Sequence, residues 1–193
     1  MTPGFSRGRR GRVLGSFSVP EAVLLRNLVS QVVELVHDEA PPVAHSSDPL
    51  ESMLGRGGPV AAPEDPVLAR LLPDAYSGDD EAAGEFRRFT EPNLREQKAA
   101  NGRSVISDLE RGGLSEDSAE TDENVELDLG PDQVRAWLRS LTDVRLALAT
   151  RLGIGDGDED RWESMPDDDP RRYVHEVYDW LGYVQETLVQ SLD

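Results

Sequence analysis

The chain has 193 residues, enough for one domain with tails or two small ones, with 38 acidic against 20 basic residues and a net charge of -18. It has no cysteine, which excludes a disulfide scaffold, a thiolate metal site and a cysteine nucleophile. No apolar run reaches the roughly 18 residues of a membrane span, and the acidic balance disfavours a protein that coats nucleic acid.

Residues 1–12 form a Gly/Arg arm with Arg7, Arg9, Arg10 and Arg12, no apolar periodicity and no signal-peptide stretch behind it; the expectation is a flexible basic arm. Val13, Phe17 and Val19 then share one face at period two, which predicts a short strand over Val13–Val19. Ser18 and Glu21 read as a capping box with Pro20 in the first turn. The helix that follows carries Leu25, Leu28, Val29, Val32, Val33 and Val36 as a continuous stripe, which demands a packing partner. Residues 41–65 are rich in Pro, Gly, Ser and Ala and read as a long loop, with a turn of helix around Leu50–Leu54. Asp65 and Pro66 start a short helix through Val67, Leu68, Leu71 and Leu72.

Asp79, Asp80 and Glu81 favour a helix start through the macrodipole, and that helix runs through Phe86 and Phe89 to about Thr90. Thr90 and Pro92 then predict a fresh helix start, with Leu94, Val105, Ile106 and Leu109 on its apolar face and Gly112-Gly113 ending it. An acidic loop spans residues 114–124. Val125, Leu127 and Leu129 alternate with acids as a second strand. This strand and the first are able to pair into a small ribbon, which needs helices behind it. Gly130-Pro131-Asp132 opens a helix with Val134, Trp137, Leu138, Leu141, Val144 and Leu148 on one face and Gly153 as its stop. A second acidic loop covers 153–167. The last helix starts near Asp168–Pro170; Val174, Val177, Tyr178, Leu181, Val184 and Leu188 form its stripe, and Tyr173, Trp180 and Tyr183 widen it toward a second neighbour or a second subunit. The expected fold is mainly α: a single helical domain over 13–192, of five to six helices, with the ribbon of Val13–Val19 and Val125–Leu129.

The two acidic segments, 115–132 and 156–169, hold -15 of the net -18, so the acidity belongs mostly to loops. Asp156, Asp158 and Asp160 alternate as in a calcium loop, yet Arg161 stands where such a loop needs Gly and Asp167 where it needs a bidentate Glu. His37, His45 and His175 have no metal spacing, and no nucleophile–base set is indicated. No enzyme, metal or cofactor is expected. The one basic concentration inside the folded part is Phe86-Arg87-Arg88-Phe89 with Arg95, Lys98 and Arg103. Such a cluster serves either as a docking surface for an acidic partner or as solvated arginines paired with Glu85, Glu91 and Glu96. Lys98 is the only lysine, an imbalance that fits GC-rich codon usage.

Five segments in order, FSVPEAVLLRNLVSQVVELV, DPVLARLLPDAY, EFRRFTEPNLREQKAANGRSVISDLE, VELDLGPDQVRAWLRSLTDVRLALATRLGI and YVHEVYDWLGYVQETLVQSL, resemble an actinobacterial domain-of-unknown-function family that includes the oxidative-stress transcriptional regulator AosR. The likeness runs from about Val13 to Leu192, loops aside. It rests on apolar helix patterns and the FRRFTEPNLR core. The resemblance implies a helical cytoplasmic protein of transcriptional control that contacts the transcription machinery, RNA polymerase or a sigma factor, with Arg87, Arg88 and Arg95 as contact residues. A direct DNA-binding regulator acting as a dimer is the alternative, with the helix from Thr90 as its reader. Redox sensing in the regulator of this type uses a cysteine pair, which this chain lacks; thiol sensing is not carried over. Met53 and Met165 remain open to oxidation.

Overall fold

The computed structural model describes residues 4–38, 60–76, 78–115, 124–155, 157, 162, 164–166 and 168–192. The turn of helix expected around Leu50–Leu54 and the aspartates Asp156, Asp158 and Asp160 lie outside these residues. Three strands, β1 (Gly4–Arg7), β2 (Val13–Phe17) and β3 (Val125–Leu129), form one antiparallel sheet in the order β1-β2-β3. Five helices among the described residues accompany them: α1 (Val19–Asp38), α2 (Pro66–Leu71), α3 (Asp80–Arg111), α4 (Pro131–Leu152) and α5 (Pro170–Gln190). The fold is mainly α.

The expected pairing of the two alternating segments is present, with Val13 opposite Leu129 and Phe17 opposite Val125. The first strand ends at Phe17 because Ser18 already belongs to the start of α1: Glu21 accepts from the Ser18 amide at 2.9 Å and from its hydroxyl at 2.5 Å. The flexible arm expected over residues 1–12 is corrected for its described part, Gly4–Arg12. Gly4–Arg7 is the third strand, and Gly8–Arg12 is its turn into β2, closed by the Gly8 amide donating to the Arg12 carbonyl at 2.8 Å. The physical reason is Phe5. Its ring is buried edge-on to both Phe17 and Trp137, at 5.4 Å from each centroid. It lies over Gly15, where a Cβ would stand 2.7 Å from the ring. Both outer edges are blunted: the Phe5 amide donates to Thr187 Oγ1 on α5, and the Glu126 amide donates to the Gly112 carbonyl.

The helices bury the stripes that their sequences carry. α1 contributes Leu25, Val29 and Val36, α4 contributes Val134, Trp137, Leu141 and Val144, and α5 contributes Val177, Leu181, Val184 and Leu188. Helices α1 and α3 approach closely at Gly102, where a Cβ would stand only 2.4 Å from Val33 Cγ2. Asp65 caps α2 through the amides of Val67 and Leu68 and also accepts from Arg151 of α4. Burial pushes the Asp65 carboxyl up, but Arg151 and the two amides outweigh it and hold it below its ordinary value. α4 opens on Gly130, whose amide donates to Gln133 Oε1, and stops at Gly153 in the left-handed conformation.

The break expected at Thr90–Pro92 is absent. α3 continues unbroken for 32 residues with Pro92 inside it. Proline removes one helical hydrogen bond, but Ala83, Arg87, Glu91, Arg95 and Ala99 are buried on both sides of it, and this tertiary burial holds the helix together.

Candidate interaction surface

Asp79 starts α3 by accepting from the Ala82 amide, and the helix then presents the arginine-rich segment along its length. The helical period of 3.6 separates its arginines by role. Arg87 is buried: its Nε donates to the Val60 carbonyl at 2.9 Å and its NH1 pairs with Asp74, which ties the segment before and after α2 onto α3. Arg95 is buried too. Its Nε donates to Glu91 at 2.7 Å, and its NH1 donates to the Val36 carbonyl at 3.0 Å. Val36 lies in the last turn of α1, where helical carbonyls lack amide partners, so Arg95 serves as a C-terminal cap supplied by another helix. Lys98 pairs with Asp143 of α4 at 2.6 Å, with both side chains largely buried. Burial pushes the Asp143 carboxyl above its ordinary value, with Lys98 acting in the opposite direction.

The three expected contact residues therefore part company. Arg87 and Arg95 serve internal structure, and Arg88 is half-buried, with its guanidinium 4.4 Å from the Phe89 ring centroid. The sequence places Phe86 and Phe89 in this segment, but the expected contact set holds its arginines alone and leaves out Tyr76. Phe89 is 64% exposed, Tyr76 51% and Phe86 42%, and the Tyr76 and Phe86 rings meet edge to face at 5.8 Å. Phe86 and Phe89 bracket the two arginines at a three-residue spacing, and this was the available signal. The result is two aromatic contacts on this stretch of α3, Tyr76 with Phe86 and Arg88 with Phe89, while Arg87 and Arg95 of the same helix are buried.

Arg103 joins Glu96 and His37 Nε2 at the surface, with distances of 3.1 and 2.7 Å. Of the N-terminal arginines expected as a free arm, Arg7 ends β1, Arg9, Arg10 and Arg12 sit in the β1–β2 turn, and Arg12 bonds both the side chain and the carbonyl of Asp128. Deeper in the body, Asp108 accepts from Trp137 Nε1 at 2.9 Å, from Gln133 Nε2 at 2.6 Å and from Arg111, which satisfies the indole of the fully buried Trp137. No group of three His, Asp or Glu positioned to hold a metal occurs among the described residues. An open groove of about 430 Å³ between α3 and α4 is lined by Leu94, Lys98, Leu138, Arg139, Thr142 and Asp143, with Lys98 paired to Asp143. No helix among the described residues is long and apolar enough to cross a membrane.

The proteins named "Oxidative stress regulator AosR" from Mycobacterium bovis and Mycobacterium tuberculosis are 30% identical to the chain over 195 residues, covering 94% of this chain and 82% of each relative. A Mycobacterium leprae relative is 31% identical over 186 residues, covering 89% of this chain and 78% of its own length. No solved structure is similar to the chain. The family model described as "Domain of unknown function (DUF2017)" matches residues 1–192, and the chain belongs to this family.

Proposed function

We propose that this chain is a non-catalytic, cytoplasmic regulatory protein of the oxidative-stress type, which acts by contact with the transcription machinery, RNA polymerase or a sigma factor, and without thiol sensing. The observation that carries the reading is the alignment with named oxidative stress regulators over 94% of the chain. The absence of cysteine removes the thiol route. The contact face is Arg88 with Phe86, Phe89 and Tyr76. Exposed aromatic residues with an arginine among them have the composition of interface hot spots. Arg87 and Arg95 are positioning residues that fix α3 beneath that face.

The test is affinity capture from lysate of the native host at low and at moderate salt, with mass spectrometry. Polymerase or a sigma factor is expected at both salts, because an aromatic contact is less screened than a purely ionic one. The pair Arg88→Glu and Phe89→Glu should abolish capture while leaving the thermal transition in place. Capture of DNA alone, lost as salt rises, overturns this reading in favour of a DNA-binding dimer.

A further inference from the structure

The sulfur of this chain is confined to three methionines, and Met165 is the one among the described residues. It does not lie in the main core. With Leu152 and Trp162 it forms a separate small cluster, with Ile154, Val174 and Tyr178 packed at its margin. Leu152 ends α4, and Trp162 and Met165 lie just before α5, so the cluster fastens the end of one helix to the start of the next. Two further contacts hold it: Arg172 NH1 donates to the Met165 carbonyl at 2.8 Å, and the His175 ring stacks on Trp162 at 4.5 Å. Three buried side chains stabilise a unit of this kind far less than the main core, so it opens locally without global unfolding.

We propose that Met165 is a site of reversible oxidation by hydrogen peroxide, and that its sulfoxide releases the Leu152–Trp162–Met165 cluster. The role of this switch rests on the oxidative-stress reading above, whereas its chemistry stands by itself. The thioether sulfur attacks one peroxide oxygen, the O–O bond breaks, and an S–O bond forms. The sulfur loses two electrons, and the second oxygen leaves as water. The product exchanges an apolar group for a larger, strongly polar one in a small cluster whose other buried members are Leu152 and the Trp162 indole, a ring with a single N–H donor. The sulfoxide oxygen is better satisfied by water than by one indole N–H, and this favours the open state by about tenfold.

The experiment treats the full chain with graded hydrogen peroxide, maps the added oxygen by peptide mass spectrometry and follows tryptophan emission, with Trp162→Phe assigning the signal. Expected is one oxygen on Met165, a red shift from Trp162 and its reversal by methionine sulfoxide reductase. Met165→Leu keeps the volume and should abolish the shift. Met165→Gln should produce the shift without peroxide. The proposal is overturned if Met165 stays unmodified at about tenfold the exposure that consumes free methionine, or if it is oxidised while Trp162 emission stays put. In the host, a deletion strain as peroxide-resistant as its parent sinks the regulatory reading. A peroxide-sensitive deletion that Met165→Leu complements in full sinks the methionine switch alone.

Discussion

Lys98→Met separates the electrostatic account of the α3–α4 contact from a purely apolar one. In the native chain the ammonium stands 2.6 Å from Asp143 Oδ1, and the side chains are 15% and 8% exposed. Removing one partner of a fully buried pair costs about 3–5 kcal/mol, because the other charge stays desolvated; with this residual exposure the expected loss is about 2–4 kcal/mol. The double variant Lys98→Met with Asp143→Leu should recover most of that loss, since an apolar pair of similar volume is often neutral. Urea unfolding of the four proteins gives the coupling directly. The loss should also depend on pH with a definite sign. Burial raises the folded Asp143 carboxyl above 3.8 against the pull of Lys98, so without Lys98 it rises further. Between 3.8 and the folded value the native state holds more protons than the unfolded state, and stability falls as pH rises through that window. The variant should therefore lose little near about pH 4 and most at neutral pH. Because Lys98 is the only lysine, its acylation can be followed as the sole side-chain amine, and it should be slow until Asp143 is replaced. A loss below about 0.5 kcal/mol, or one of equal size at all pH, refutes the reasoning.

Pro92→Ala should raise stability by about 1–3 kcal/mol, read as an increase in Tm, because it restores an amide donor inside an unbroken helix. Gly102→Leu should lower stability by about 2 kcal/mol or more by forcing α1 and α3 apart at Val33, and Val33→Ala in the same chain should return part of the loss in urea unfolding. Phe5→Ala should cost about 3–5 kcal/mol, an outcome that a flexible arm does not allow, and the near-ultraviolet circular dichroism of Trp137 should weaken with it. Asp108→Ala should cost about 3–5 kcal/mol by leaving the Trp137 indole without its acceptor, whereas Asp108→Asn should cost less; chemical denaturation distinguishes the two.

The long helices and the β2–β3 pairing were legible because each carries its burial signal within its own few turns: the stripe of α1, the face of α4 and the alternation of Val125, Leu127 and Leu129 are periodic in the sequence itself. β1 was not legible. It has one buried aromatic side chain, Phe5, in a stretch of glycines and arginines, and two of the groups that fix it, Trp137 and Thr187, are remote in the chain. Pro92 carried a stop signal that is correct locally and loses to burial on both sides of it. The surface was half legible. The arginine cluster was visible, but Arg87 and Arg95 end on the carbonyls of Val60 and Val36, and backbone acceptors brought in by the fold leave no trace in residue type.

The Phe5–Thr187 hydrogen bond joins positions 182 residues apart, and Phe5 also completes an aromatic group with Trp137. A ribosome adds about 5–20 residues each second, so roughly 10–40 seconds separate the synthesis of these two positions. Until α4 is made the nascent chain holds an apolar ring among arginines without Trp137 to receive it, and Thr187 follows only at the end of that time. The outer edge of the sheet is thus closed only when the last helix has emerged, although β1 is the first of the three strands to be made.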